Sequence, residues 1–516
     1  MKKIHIFFIF MLFTLALLLR INGLSGRSLW TDEFFTFFQS TGHGEAQKQM
    51  NLLSEITPPK YFNAGFYKQM LHNDPSKTIS DVTLSLIRED THPPFYFWTI
   101  YFWIRLFGDS IFAVRFFSVL MGLFSVLMAY KVTKLLFGDA AAVFSALFMS
   151  VCPFAVIYSR EARHYSLIAL LALVSWFFLL RFERKKRNAD LVCAALFNSI
   201  ALLTHYFYFF IILGQLAYFM LIYRKDKYLL DKFLLSFFCS FLLLAPWFNL
   251  VASHGYNFYL ASWPFGYFGF FDKIYYFLIA VSRYIFIFEP RGMVMRGLLL
   301  AGIFALACRG RPVFKEAVSR YRRETLFCCI LFLVPISAMF IIDIVQHGVL
   351  LQQERFLVFP FIGLIPLSGY FLRYLFRRSK IIFLLFFMFL AVYSFIISID
   401  PQFGPAPKRV AEWINSSSQG CRAAVIMGNI RSVVLAQAYY MDEDILIMPV
   451  ADTDQLVEGV KVLSHSVDKI FIVRHFNRTD PKFVDPDFIK TEDINSGFKL
   501  TRSMQSSYVK GLEFTR

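Results

Sequence analysis

Long apolar stretches recur from the N-terminus to residue 399, and they dictate the solvent this chain must live in. They run from Ile4 to Ile21, Ile111 to Tyr130, Ala140 to Ile157, Tyr165 to Leu180, Leu191 to Leu203 and Phe207 to Tyr223. Further ones are Phe233 to Leu250, Val294 to Cys308, Leu326 to Ile342, Phe356 to Phe371 and Ile381 to Ile399. A helix needs roughly 20 apolar residues to cross a bilayer, with ~17 as a practical minimum unless neighbours help. The chain is 57% hydrophobic and holds 65 phenylalanines in 516 residues, more apolar surface than a water-soluble core can use. The pattern predicts a polytopic α-helical membrane protein with about 11 transmembrane helices.

Charge gives these helices a direction. Lys2 and Lys3 precede the first apolar run as in a signal peptide, but Leu18-Leu19-Arg20-Ile21-Asn22-Gly23 offers no small-residue cleavage site, so the run reads as a retained span. With the N-terminus cytoplasmic, the inner connections are 131–139, 181–190, 224–232, 309–324 and 373–380. Together with Lys2 and Lys3 they hold 23 of the 53 Lys and Arg residues. Agreement across five loops fits the positive-inside rule. It also accounts for the net charge of +17 without nucleic acid, because the basic residues fall in short clusters between apolar runs. The seven cysteines form no pairing framework and no CxxC spacing: six lie in or beside apolar runs, and Cys421 stands alone.

Two aromatic stretches do not fit as spans. Phe95 to Phe107 is short and carries Arg105; if it crossed, every later basic cluster would face outward. Its Trp and Tyr suit an interfacial helix. Phe271 to Phe288, with Lys273 and Arg283, is assigned to the outer surface for the same reason. The expected organisation is a transmembrane domain over 1–399, including a first outer loop over 22–110, followed by an extracytoplasmic α/β domain over 400–516. Within that tail, Ala423 to Met427, Ile445 to Pro449 and Lys469 to Val473 read as buried strands; Ser432 to Tyr440 and Asp454 to Leu463 have helical periodicity. No Gly-rich phosphate loop is present there. Asn415-Ser416-Ser417 and Asn477-Arg478-Thr479 match the glycosylation acceptor pattern, which is common by chance.

The residues able to do chemistry gather on the outer side of this topology. Asp32 and Glu33 stand in Ser28-Leu29-Trp30-Thr31-Asp32-Glu33, in the first loop beyond the first span. Two carboxylates at a membrane surface offer little to folding. The plainer reading is a helix cap by Thr31 or Asp32, with Glu33 favouring the positive end; a cap and a catalytic carboxylate are compatible. His92-Pro93-Pro94-Phe95-Tyr96 presents an imidazole on stiffened backbone, unless Pro only starts a helix. Tyr158 to Tyr165 holds Arg160, Glu161, Arg163 and His164 in one short connection. Arginine there could snorkel to the interface, but a basic cluster on the outer side runs against the positive-inside tendency and suits an anionic ligand. Thr204-His205-Tyr206, Gln353-Glu354-Arg355 and Arg115 add weaker candidates, and a lone histidine such as His205 is more often structural. Collected, these residues suit an anionic lipid phosphate with a carboxylate left to take a proton.

In this order the motifs resemble the GT-C membrane glycosyltransferases, in the branch that includes protein O-mannosyltransferases and the lipid A aminoarabinose transferase. The resemblance runs from about residue 25 to 375. It rests on Leu29-Trp30-Thr31-Asp32-Glu33, His92-Pro93-Pro94-Phe95-Tyr96, and Phe107-Gly108-Asp109-Ser110 leading to Arg115. It continues through Pro153 to Tyr165, Thr204-His205-Tyr206 and Glu354-Arg355-Phe356. It implies a polyprenyl-phosphate sugar as donor at the outer leaflet, and an envelope acceptor: protein, lipid A, another glycan or a glycolipid. Asp32 would be the catalytic base with Glu33 beside it, and His92, Arg163, Arg355 and Arg115 would contact the donor phosphate. Glu161, Tyr165, His205 and Glu354 would line the site. In the aminoarabinose transferases the position of His92 is a lysine, so phosphate contact here depends on pH.

The implied reaction is an inverting hexosyl or pentosyl transfer, in which the acceptor attacks the anomeric carbon in line and displaces polyprenyl phosphate. A phosphate ester leaves readily, so no cofactor is required; members differ in metal dependence, and Asp32, Glu33 and Glu161 are the carboxylates able to hold a divalent ion. The implied place is the cell (inner) membrane. The rival class is a transporter or lipid flippase, but these usually place charges and broken helices near the midplane, often in repeated halves. Here the charges gather at the outer boundary and no internal repeat is visible.

Overall fold

The computed structural model describes residues 2–44, 59–89, 92–253, 269–285, 309–346, 348, 350–399, 407–428, 431–450, 453–475, 498–505 and 509–516. They form two compact units. One comprises Met1–Leu24, His92–Tyr96 and Arg115–Ile399; the other comprises Ser25–Thr91, Phe97–Val114 and Asp400–Arg516. This division is not a cut at residue 399/400, because much of the first loop shares a unit with the tail.

The first unit is helical. Six helices are long and apolar enough to cross a bilayer: Ile111–Phe137, Tyr165–Lys185, Lys227–Ser253, Arg322–Val345, Glu354–Arg378 and Lys380–Ile399. Met11–Ile21, Asp139–Val151, Asn188–Leu202 and Tyr208–Tyr223 are shorter apolar helices. Every expected span within the described residues is therefore helical, although four are short; the stretch from Val294 to Cys308 lies outside them. The protein is a multi-pass membrane protein. One set of polar side chains within the bundle pairs internally, as a medium without water favours. Asn198 Oδ1 accepts from Ser175 Oγ at 2.6 Å and from Tyr208 Oη at 2.7 Å, and its amide donates to Gln215 at 3.0 Å. This network ties three helices together.

Two of the expected spans are interrupted: Phe233 to Leu250 by turns between Lys227–Cys239 and Leu244–Ser253, and Ala140 to Ile157 at a proline. Pro153 disfavours helical backbone at the residue before it, and Cys152 is extended, with ψ 121°. The helix Asp139–Val151 stops there, and Pro153–Tyr158 starts anew. Its last carbonyls are not left bare. Fully buried Arg20 donates to Ser150 O at 3.0 Å and Met149 O at 2.9 Å, and Ser394 Oγ donates to Val151 O at 2.7 Å. A helix end in an apolar medium needs such partners.

The second unit is built on a six-stranded sheet of order β1-β3-β2-β4-β6-β5. Strands β2 (Ala423–Gly428), β3 (Leu446–Val450) and β4 (Lys469–His475) are parallel, crossed over by helices Arg431–Tyr440 and Thr453–Leu463. These match the expected strands and helices. Two pieces were not anticipated. β5 (Lys499–Gln505) and β6 (Val509–Thr515) extend the sheet antiparallel, and β5 is largely exposed, which hides it from a search for apolar runs. β1 (Phe62–Asn63) comes from the first loop and pairs antiparallel with β3. One face of the sheet packs Ile426, Met448, Leu456, Val460 and Ile472 into a core; on the other, Trp413 meets Phe471 edge to face, 5.2 Å between rings.

The motif Phe107-Gly108-Asp109-Ser110 forms a corner in this unit. Gly108 takes φ +84° after helix Phe95–Phe107, a conformation that favours glycine. Ser110 Oγ accepts from Ala113 N as an N-cap, and Asp109 accepts from Asn73 N at 2.8 Å while pairing with His72 at 3.1 Å. That pairing raises the His72 pKa and lowers that of Asp109. The motif therefore has a structural reason of its own.

Candidate active site

The helix break at Pro153 delivers the chain to residues 159–164, an irregular stretch that is buried throughout. Two contacts fix it from outside. Arg160 donates to Ser398 O at 2.8 Å and to Asn22 O, so this cation is committed to backbone carbonyls. Ser118 Oγ of the neighbouring helix donates to Arg163 O at 3.2 Å. Close approach is permitted by Gly122, where a Cβ would lie 2.4 Å from Ser159 Cβ.

His164 lies at the end of this stretch with no exposed surface. Its ring centroid is 4.7 Å from that of His205 and 6.0 Å from that of His92; the Tyr96 ring lies at 5.7 Å. Helix Phe95–Phe107 brings His92 here: Pro93 and Pro94 stiffen its approach, and Phe95 N donates to Leu203 O at 2.9 Å, two residues before His205. His205 Nδ1 accepts from Phe207 N at 3.0 Å, which leaves Nε2 as the donor of the neutral ring. Arg163 and Arg355 are the guanidinium groups felt by both His164 and His205. Burial, more than these neighbours, pushes both imidazoles well below their ordinary range, so both are neutral at pH 7.

Arg355 is set in place by a residue the motifs did not single out. Arg283, 5% exposed, donates to Leu351 O at 2.7 Å, Gln352 O at 2.8 Å and Glu354 Oε1 at 2.8 Å. Asp343 accepts from Leu350 N at 2.6 Å and Leu351 N at 2.9 Å. Both grip the segment leading into Arg355. The signal in the sequence was a cation in an aromatic outer stretch, which by itself suggested only a surface assignment. Tyr158 joins the carboxylate side: its ring stands 5.2 Å from Tyr165, and Glu161 and Glu354 are both within its electrostatic reach.

The structure thus gathers His92, Arg163, His205 and Arg355 about His164, with Glu161, Tyr165 and Glu354 about Tyr158. Arg115 is 1% exposed and donates to Leu24 O at 2.6 Å, which commits one guanidinium nitrogen to the backbone. Asp32 and Glu33 belong to the other unit. There Trp30 is the N-cap of helix Thr31–Ser40, and fully buried Glu33 accepts from Trp30 N at 3.2 Å. Asp32, in the same first turn, remains partly exposed. Leu29 N donates to Tyr440 Oη at 2.8 Å and Phe34 meets Tyr439 edge to face, which seats this helix on Arg431–Tyr440. Among the described residues no group of three or more His, Cys, Asp or Glu is disposed to hold a metal ion.

Chemically, two guanidinium groups and three imidazoles in one partly buried cluster offer donors to an anion, and a planar fork suits phosphate oxygens. Residues 91–251, which carry His92, Arg163, His164 and His205, match the family described as dolichyl-phosphate-mannose-protein mannosyltransferase. That match bears out the resemblance to GT-C membrane glycosyltransferases read from the motifs.

Among solved structures, the chain is similar to ArnT from Cupriavidus metallidurans in the apo state, at 14% identity and TM-score 0.49, covering 99% of this chain and 98% of that one. The same protein bound to undecaprenyl phosphate matches at 13% identity and TM-score 0.46, over 99% and 98% of the two chains. The archaeal oligosaccharyltransferase AglB from Archaeoglobus fulgidus, in complex with an inhibitory peptide and a dolichol-phosphate, matches at 14% identity and TM-score 0.45, over 92% and 69%. No curated protein matches the chain.

Proposed function

We propose that this protein is a glycosyltransferase that moves a sugar from a polyprenyl-phosphate donor to an acceptor of the cell envelope. The observation that carries the reading is the convergence of Arg163 and Arg355 with three histidines in one cluster, of which Arg163, His164 and His205 are buried, built largely on the segment that matches the mannosyltransferase family. Fixed cations are most effective where charge develops, and here that charge is the phosphate of the departing lipid.

In this reading Asp32 is the base, a role taken from the motif Trp30-Thr31-Asp32-Glu33. It removes the proton of the acceptor hydroxyl or amine, and the nucleophile forms its bond to the anomeric carbon as the bond to the phosphate oxygen breaks. The electron pair leaves with the phosphate, and configuration inverts. Arg163 and Arg355 offset the added negative charge, and no metal or other cofactor enters the step. The N-terminus is cytoplasmic, the reaction proceeds at the outer face of the inner membrane, and the α/β tail is extracytoplasmic. Hexosyl and pentosyl donors and protein, lipid A, glycan or glycolipid acceptors all fit this chemistry.

The test is transfer by purified protein in liposomes offered a panel of polyprenyl-phosphate sugars and, separately, nucleotide sugars. The reading expects release of polyprenyl phosphate from one lipid donor. Activity with a nucleotide sugar instead would overturn the donor class and the outer-face assignment together.

A further inference from the structure

His164 is the most conspicuous unexplained group in the molecule. Its imidazole is fully buried, and neither ring nitrogen has a hydrogen-bond partner among the described residues. A buried donor and acceptor left unmade are destabilising, and a native structure that keeps them asks for a reason. The groups around it supply one. Arg163 and Tyr165 flank it in the chain, His92 and Tyr96 face it from the start of helix Phe95–Phe107, His205 faces it from the turn after Asn188–Leu202, and Arg355 approaches from the segment before Val358–Arg378. Glu161 lies earlier in the same buried stretch and is the nearest carboxylate along the chain.

We propose that His164, packed against His205 and His92, is a proton-holding contact of the lipid phosphate that takes up a proton when the monoester phosphate is bound. This rests on the polyprenyl-phosphate reading above and deepens it. The sugar-linked donor is a phosphodiester with one negative charge. Transfer forms the new bond from acceptor to anomeric carbon and breaks the bond from that carbon to the phosphate oxygen, which turns the diester into a monoester with a second negative charge. The acceptor gives up one proton through the base to solvent, and the histidine cluster takes one from solvent, so atoms and charge balance.

Geometry and electrostatics agree on this role. Burial and two guanidinium groups disfavour a further positive charge, which keeps His164 and His205 neutral. A bound dianion reverses that balance, because an opposite charge within a few ångströms favours imidazolium. The orphaned ring nitrogens of His164 then gain an acceptor. The cluster answers the change in phosphate charge that the reaction itself produces, which the permanently charged Arg163 and Arg355 cannot do.

The experiment uses the full-length protein in detergent with two short probes, farnesyl phosphate and its methyl diester. Calorimetry in buffers of different ionisation enthalpy counts the protons taken up on binding. Between pH 7 and 8 the wild type is expected to take up close to one proton with the monoester, so that its affinity falls by up to about tenfold per pH unit, and markedly less with the diester. In His164→Gln the uptake and the pH slope are expected to shrink while both probes still bind. Binding of the monoester by the wild type without proton uptake overturns the proposal and leaves the phosphate-site reading standing. Unchanged uptake in His164→Gln also overturns it. Failure of the wild type to bind either probe removes the phosphate-site reading and the proposal with it.

Discussion

The cations of the pocket and the carboxylates of the first loop are assembled in opposite ways. The cations lie on irregular backbone: residues 159–164 follow a proline-broken helix, and Arg355 follows a segment gripped by Arg283 and Asp343. Asp32 and Glu33 instead occupy the first turn of a regular helix, and neighbours along the chain have different tasks. Glu33 is buried on the Trp30 N–H, whereas Asp32 keeps access to solvent. The pocket divides its labour similarly. Arg160, Arg115 and Arg283 bond to backbone carbonyls, whereas Arg163 and Arg355 are the ones whose charge bears on the buried histidines. Charge alone therefore does not mark a working residue; what it is bonded to does.

The largest effect that would test this division is on turnover. Asp32→Asn is expected to lower sugar transfer by about 10²–10⁴-fold with unchanged thermal unfolding; wild-type turnover would remove Asp32 from the base role. Next, Arg163→Ala is expected to lower donor-dependent kcat/KM by about 10²–10³-fold. Arg160→Ala should instead destabilise the fold by ~1–3 kcal/mol, because it leaves buried carbonyls unpaired, with transfer per folded molecule nearly intact. Equal kinetic losses in the two variants would erase the distinction between them.

Smaller effects sharpen the contrast between the adjacent carboxylates. Glu33→Ala is expected to cost ~0.5–2 kcal/mol through the lost cap, seen as a lower Tm, and to spare turnover relative to Asp32→Asn. The His72–Asp109 pair should contribute least, since His72 is half exposed and such pairs are worth ~0.2–1 kcal/mol after screening. The signs are distinct. Because His72 is raised, its share is complete below the ordinary imidazole value and fades as pH rises through the higher folded value. Because Asp109 is lowered, its share fades as pH falls through the depressed carboxylate value. His72→Phe should flatten the alkaline side of a Tm-versus-pH curve; an unaltered curve would show the pair to be inert.

Much of this architecture was legible in the amino-acid sequence. Apolar length marked the helices, because a bilayer imposes the same requirement on each one. The three parallel strands were visible as short apolar runs, because both faces of a central strand are covered. Other features depend on partners distant in the chain. The break at Cys152 is signalled by Pro153, but its tolerance depends on Arg20 capping carbonyls 129 and 130 residues away. β5 shows no apolar signature, since it is an edge strand with exposed side chains. The histidine cluster was the hardest to foresee. His92, His164 and His205 are isolated in the chain, each with an adequate structural explanation, and only packing brings their rings within about 6 Å.

The most direct test is the affinity of a long-chain polyprenyl phosphate for the protein in nanodiscs, measured for the wild type and for the Arg163→Ala, Arg355→Ala double variant. The account expects saturable binding that weakens by at least about a hundredfold in the double variant, as loss of two charge-assisted contacts implies. Equal affinity in the two proteins, or no saturable binding by the wild type, would contradict the assignment of this pocket to the lipid phosphate.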